Sequence, residues 1–353
     1  MSKPVIGGAP VLRLAAPAGE GERFIHADIA PGRGMMLLQA TASIPHLGEV
    51  GVLAAPPLAA AAERLDGGPD DFAGNAAFAF GGAILAPFAN RIRGRFDPGK
   101  RTIETTILGR TVALPANWGG KAAGAEAYAM HGLILDRAVG QLEIAPDGAS
   151  ARGLIFAGDF GRGWPGDITL AITWRLWARA LTLTIKAVNR GEEPSPIGLG
   201  WHPYLALPSG RRAQARLTLP AKSRIVVNNY DEVLPTGEIS PIPGTAYDFH
   251  RGAPLDDLYL DDCFTDLIRT DNGEIVVEVA DPAARYAVRV VSPSRNVTAV
   301  QTYAPLDQAF VVVEPQFNLA NPYGAEWQGR DTGMVVLGPG ETTTYDARIE
   351  LRG

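Results

Sequence analysis

Between Ile168 and Trp177 the chain reads ITLAITWRLW. In an extended backbone Ile168, Leu170, Ile172, Trp174 and Leu176 fall on one face, and Thr169, Thr173 and Arg175 fall on the other. Successive strand side chains point to opposite faces, so a period of two marks a strand with one buried side. Leu181 to Val188, LTLTIKAV, repeats the pattern after Ala178, Arg179 and Ala180, which predicts a hairpin. Met35–Ala42, Arg152–Ala157, Ala215–Leu219, Ile275–Val279, Tyr286–Val291, Thr298–Tyr303, Phe310–Glu314 and Ala347–Leu351 are further strand candidates. The 41 glycines and 28 prolines sit largely between these runs, where turns need them. Only Leu58–Leu65 (LAAAAERL) has a helical composition. Many short strands and few helices predict an all-β sandwich or barrel. There is no tandem repeat, low-complexity linker or composition break, so a single domain over residues 1–353 is expected.

The 353 residues are 46% hydrophobic, enough for a large core. A net charge of −6, from 32 basic and 38 acidic residues with no long basic run, argues against nucleic acid or an anionic membrane surface as a partner. The N-terminal stretch MSKPVIGGAPVLRLAAPAGEGE lacks the continuous apolar segment of a secretory leader, and no apolar stretch is long enough to span a bilayer. Cys263 is the single cysteine, so no internal disulfide can form and a reducing, cytoplasmic setting is expected.

Five histidines are available: His26, His46, His131, His202 and His250. His131 lies in MHGLILDR and His202 in GLGWHPYLALP. Pro203 biases His202 toward an extended backbone, and Gly198 and Gly200 permit close approach of a neighbouring chain or a ligand. Neither His131 nor His202 has a His, Cys or Glu at metal-ligand spacing, so no metal site is expected. Cys263, preceded by Asp261 and Asp262, is a poor nucleophile because the acidic neighbours raise its pKa. Among the acids, Glu314 stands out because it closes the apolar run FVVVEP, where a carboxylate must be paired or functional. In NRIRGRF, an extended backbone would put Arg91, Arg93 and Arg95 on one face. Such a stripe is a solvated edge, or offers one arginine to a sugar oxygen, or holds a phosphate with several.

Taken in order, these segments resemble the aldose 1-epimerase (galactose mutarotase) family. GGAILAPFANRIRGRF is similar to its arginine segment, MHGL to its first histidine segment, and GRGWPGDITL to its turn before a long strand. GLGWHPYL resembles its His-Pro-Tyr segment and LDDCF its substrate-binding aspartate segment. VQTY and VVVEP resemble the two segments that end at the catalytic glutamate. The stretch after MHG lacks the expected tryptophan, NRIRGRF is one residue shorter than the commonest spacing, and EPQFNLANPYG is only loosely like the family's close.

The resemblance implies a large antiparallel β-sandwich, of the galactose mutarotase-like supersandwich type, with the site in a cleft on one face. It implies Glu314 as base and His202 as acid, with Arg91 and His131 near the ring oxygen, Asp261 on sugar hydroxyls and Asn90 beside Arg91. The substrate would be a free hexose such as galactose or glucose, the protein a monomer or homodimer, with neither metal nor cofactor. Anomers interconvert by breaking the bond between C1 and the ring oxygen: a base takes the C1 hydroxyl proton, an acid protonates the ring oxygen, and the ring recloses with roles reversed. No electrons leave the sugar. Three alternatives remain: a hexose-6-phosphate mutarotase suggested by the arginine stripe, a non-catalytic sugar-binding or regulatory protein of the same fold, and a glycoside hydrolase or lyase, for which hydrolysis would need two opposed carboxylates.

Overall fold

The computed structural model describes residues 4–352. Two large sheets dominate it, and every ladder between named strands is antiparallel. The predicted hairpin lies inside the nine-stranded sheet: Ile168–Leu176 pairs with Ala180–Asn189, with Leu176 opposite Leu181. The alternation read from the sequence is the alternation of burial, with Ile168, Leu170, Ile172, Trp174 and Leu176 all inside. Next to the hairpin lie Ser150–Gly158 on one side and Thr342–Arg352 on the other, followed by Tyr286–Ser292 and Ile275–Asp281.

The second sheet has eleven strands. Its middle runs Leu260–Thr265, Ala299–Ala304, Phe310–Gln316, Gly200–Ala206, Gly82–Leu85 and Met36–Ile44. The inner faces of the two sheets meet in one large apolar cluster, in which Trp174 of the first sheet packs edge-on to Trp201 of the second at 5.3 Å between ring centroids. Both indoles are fully buried, and their N–H groups donate to the Met35 and Gly82 carbonyls at 2.8 and 3.2 Å. A buried Trp of this kind typically contributes ~3–5 kcal/mol over alanine. The helix forms over Leu58–Arg64. No helix among the described residues is long and apolar enough to cross a membrane.

Two sequence expectations change. Glu314 does not end its strand: the ladder continues through Pro315 to Gln316, with Pro315 opposite Val300. The segment Asn90–Phe96 is not one extended strand. It is broken into Arg91–Ile92 and Arg95–Asp97, with Asn90 in the left-handed region at φ 60°.

Candidate active site

Alternation along Phe310–Gln316 sends Val311 and Val313 into the inter-sheet core, and Val312 and Glu314 to the other face. The same rule puts His202 and Tyr204 of Gly200–Ala206 on that outer face. The register that sets Gly200 opposite Gln316 and Tyr204 opposite Val312 brings His202 opposite Glu314. On the other side of Glu314 lies Gln301, its cross-strand partner. Four neighbouring strands thus aim Asp261, Gln301, Glu314 and His202 into one cleft of about 480 Å³. Glu314 and His202 are buried at its floor, with Oε1 3.2 Å from Nε2.

Two loops complete the floor. Asn90 and His131 are both non-glycine residues at φ 60°, a conformation that costs about 1–3 kcal/mol and is held where the surroundings over-determine it. Here the His131 N–H donates to the Asn90 carbonyl at 2.9 Å, and the Leu133 N–H to the Ala86 carbonyl at 2.7 Å. Gly132 is obligatory between them: its φ is 89°, and a Cβ there would lie 2.2 Å from the Ala86 oxygen. His131 ends up edge-on to His202, with ring centroids 4.8 Å apart.

Arg91 is buried beside this floor. Its guanidinium donates to Asn90 Oδ1 at 2.8 Å, to Asp261 Oδ2 at 3.5 Å and to the Tyr128 hydroxyl at 3.4 Å. Asn90 Nδ2 donates to Gln301 Oε1 at 3.0 Å, and Gln301 Nε2 donates to Asp261 Oδ1 at 2.6 Å. Arg91, Asn90, Gln301 and Asp261 therefore form a closed ring of side-chain hydrogen bonds, which fixes the rotamer of each. Gln301 lies inside the VQTY segment, yet nothing in a lone glutamine of a strand distinguishes it until the ladder aligns it with Glu314.

Asn318 was equally invisible. Its side chain accepts from the Ala89 N–H at 3.0 Å and donates to the Ala89 carbonyl at 2.9 Å, strapping the arginine segment to the chain just past Glu314. A Cβ at Gly198 would sit 1.9 Å from Asn318 Oδ1. Gly198→Ala is expected to force that strap aside at a cost of about 1–3 kcal/mol, read as a lowered midpoint in urea with unchanged slope.

The arginine stripe does not assemble. Arg91 faces the cleft floor, whereas Arg93 pairs with Glu126 and the largely exposed Arg95 pairs with Glu104 at 2.8 Å. Trp201 is core, whereas Tyr204 lines the cleft. No His, Cys or Glu stands at metal-ligand spacing from these histidines in the sequence, yet in space ligand atoms of His131, His202 and Glu314 lie within 4.8 Å of one another. The three residues come from separate segments, so sequence spacing could not reveal them. Two imidazoles and a carboxylate are a donor set that could hold a divalent transition ion.

Burial dominates the electrostatics. It pushes the Glu314 carboxyl well above its ordinary range, with Asp261 adding to the rise and Arg91 opposing it. It pulls His202 down to about 3 and His131 well below the usual imidazole value, with Arg91 acting in the same direction on both. Full enclosure thus shifts the carboxyl and the imidazole in opposite directions, each toward its neutral form. Glu314 Oε2, His202 Nδ1 and both His131 nitrogens are buried and bond to no other protein group. Burial also raises the Cys263 thiol, ahead of its acidic neighbours, which leaves it inert.

A buried carboxyl–imidazole pair is thus set on the outer face of an antiparallel sandwich beside a buried arginine. A sequence profile of the family described as aldose 1-epimerase matches residues 55–350, and the chain belongs to that family. It is 26% identical over 190 residues to galactose mutarotase of Mus musculus, covering 49% of this chain and 46% of that protein. The corresponding human protein is 25% identical over 188 residues, covering 51% and 49%. The chain thus spans about half the length of the curated relatives it matches. A galactose mutarotase-like protein from Clostridium acetobutylicum superposes with a TM-score of 0.72 at 19% identity, over 99% of this chain and 98% of that one. The GalM/aldose epimerase homologue from C. elegans gives 0.71 at 17% identity, over 97% and 98%. At these identities the likeness establishes the shared fold, a galactose mutarotase-like sandwich.

Proposed function

We propose that the chain is a mutarotase acting on a free hexose such as galactose or glucose, with Glu314 and His202 as the acid–base pair. The observation that carries this reading is their opposition across adjacent strands, 3.2 Å apart at the floor of the cleft. The hydroxyl and ring oxygens of a hemiacetal hang on one carbon, so the groups that serve them must lie within a few ångströms of each other. Ring opening takes a proton from one oxygen and gives one to the other, which is what a pair holding a single shared proton can do. Moving one proton across the 3.2 Å contact converts the neutral carboxyl–imidazole form, which burial favours, into carboxylate and imidazolium; in that form Glu314 accepts from the C1 hydroxyl and His202 donates to the ring oxygen, and reclosure reverses both transfers.

Arg91 and His131 stand where charge would develop on the ring oxygen, Asp261 holds hydroxyls, and Asn90 contributes by orienting Arg91 and Gln301. The failure of the arginine stripe to assemble favours a free sugar over a hexose phosphate, since Arg93 and Arg95 are engaged with carboxylates on the surface. Polarimetry on freshly dissolved α-galactose and α-glucose tests the proposal: the protein is expected to speed the drift to the equilibrium rotation. A rate equal to the spontaneous one would leave only a binding protein.

The depressed pKa of His202 has a sign that can be checked. An ordinary imidazole takes its proton near ~6.5. His202 resists until about 3, so the pair gains no second proton as the pH falls through weak acid. The value of kcat/KM is therefore expected to stay level from ~pH 7 down to ~pH 5, because its acid limb reports the free enzyme. A limb centred near ~6.5 would show a solvated histidine instead.

A further inference from the structure

The floor of the cleft gathers three metal-ligating side chains and leaves most of their donor atoms without protein partners. One donor atom from each of His131, His202 and Glu314 lies within 4.8 Å of the other two. All three residues are buried, and all three line the cleft. Glu314 Oε2, His202 Nδ1 and both His131 nitrogens make no hydrogen bond within the protein. A buried polar atom left unpaired costs about 1–3 kcal/mol, so a cluster of them calls for a ligand that pairs them together.

The spacing is near that of a zinc centre. A tetrahedron with bonds of ~2.1 Å has edges of ~3.4 Å. Glu314 Oε1 and His202 Nε2 are already 3.2 Å apart. Bringing the widest separation down from 4.8 Å to that edge takes a shift of at most ~1.4 Å. The His131 backbone is fixed, at φ 60° and by its N–H bond to the Asn90 carbonyl, but no hydrogen bond holds its ring. Rotation of that ring supplies the shift.

The donor set selects the ion. Two imidazole nitrogens and one carboxylate oxygen suit zinc, copper or nickel, whereas magnesium takes oxygen donors and keeps its waters. The buried Arg91 guanidinium makes its ion pair with Asp261, at 3.5 Å, and so leaves the Glu314 charge to meet a cation.

We propose that His131, His202 and Glu314 form an inhibitory site for a divalent transition ion, which seats on all three side chains and shuts the sugar out. Ion and sugar exclude each other because an ion on Glu314 and His202 occupies the base and the acid together. The inhibition rests on the mutarotase reading, whereas uptake of the ion does not.

The test titrates chelator-treated protein with zinc chloride by calorimetry, and with cobalt chloride in the visible, where a four-coordinate cobalt site absorbs far more strongly than the aqueous ion. One equivalent of zinc is expected to bind with a Kd of about 10 µM. That is weaker than a structural site because neither imidazole has a protein partner behind its second nitrogen. Galactose should bleach the cobalt bands of the wild type. His131→Asn, which tolerates the left-handed backbone, and Glu314→Gln should each weaken zinc binding at least tenfold. Zinc at about 100 µM should raise the galactose KM about tenfold at constant kcat, and the same concentration of magnesium should leave it unchanged. No zinc uptake, or uptake that persists undiminished in both variants, would overturn the site and leave the mutarotase reading intact. Cobalt bands that galactose does not bleach, or turnover that zinc speeds, would overturn the exclusion of sugar by the ion. Zinc uptake that both substitutions abolish, in a protein that does not mutarotate, would keep the ion site and remove the mutarotase reading.

Discussion

Glu314→Gln and His202→Asn are each expected to lower the kcat for mutarotation by ~10²–10⁴, the usual contribution of a positioned acid–base group. Both substitutions keep the shape of the cleft floor while removing one end of the proton path. The double variant should be little worse than either single one, because the two groups act as a unit and the loss of one already idles the other. The variants should remain folded, and for Glu314 the sign of the stability change can be worked out. Its folded pKa is raised, so its contribution to stability is fully present below the unfolded value of ~4.3 and is lost as the pH rises toward the folded one. A neutral glutamine escapes that loss. Glu314→Gln should therefore melt at or above the wild-type temperature at pH 8 while being almost inactive, an exchange of activity for stability found at many sites. Near-wild-type rates in both single variants would refute the assignment.

Arg91→Ala is expected to cost about as much in activity and considerably more in stability. Burial alone would lower the Arg91 pKa, but Asp261, Tyr128 and Glu314 outweigh it and hold the guanidinium charged. Removing it leaves Asp261 without its cation and opens the ring of side chains through Asn90 and Gln301. Breaking one partner out of such a pair costs ~3–5 kcal/mol, and losing a donor aimed at developing negative charge costs ~10²–10³ in kcat. Arg91→Lys separates the two effects. It keeps the positive charge near Asp261 but cannot reach Asn90, Tyr128 and Asp261 from one planar fork. Arg91→Lys should recover most of the denaturation midpoint and only part of kcat. Full recovery of both would mean that charge alone matters at this position.

How much of this was legible in the sequence follows from which residues carry local patterns. The hairpin at Ile168–Asn189 and the strand before Glu314 could be read because a half-buried strand prints its own alternation into the chain. His202 and Glu314 could be singled out because each interrupts an apolar strand with a polar group. Their meeting could not be derived, since it depends on the register between two strands more than a hundred residues apart in the sequence. Gln301 and Asn318 had no local mark at all: one gains its place from a cross-strand partner, the other from an amide strap to Ala89. The arginine stripe misled for the opposite reason. A period-two spacing suggested a shared face, but the left-handed turn at Asn90 and the break before Arg95 send the three side chains to different places. The clustering of His131 with His202 and Glu314 was hidden in the same way, because ligand spacing in sequence says nothing about groups delivered by three separate segments.

A crystal structure of Glu314→Gln with galactose in the cleft bears most directly on whether a carboxyl and an imidazole divide the two oxygens of one hemiacetal carbon. The predicted result has the C1 hydroxyl within ~2.6–3.2 Å of the side chain at position 314 and the ring oxygen within the same reach of His202 Nε2, with Asp261 on hydroxyls farther round the ring. A sugar seated with C1 turned toward solvent, or bound on a face of the protein remote from these strands, would contradict it.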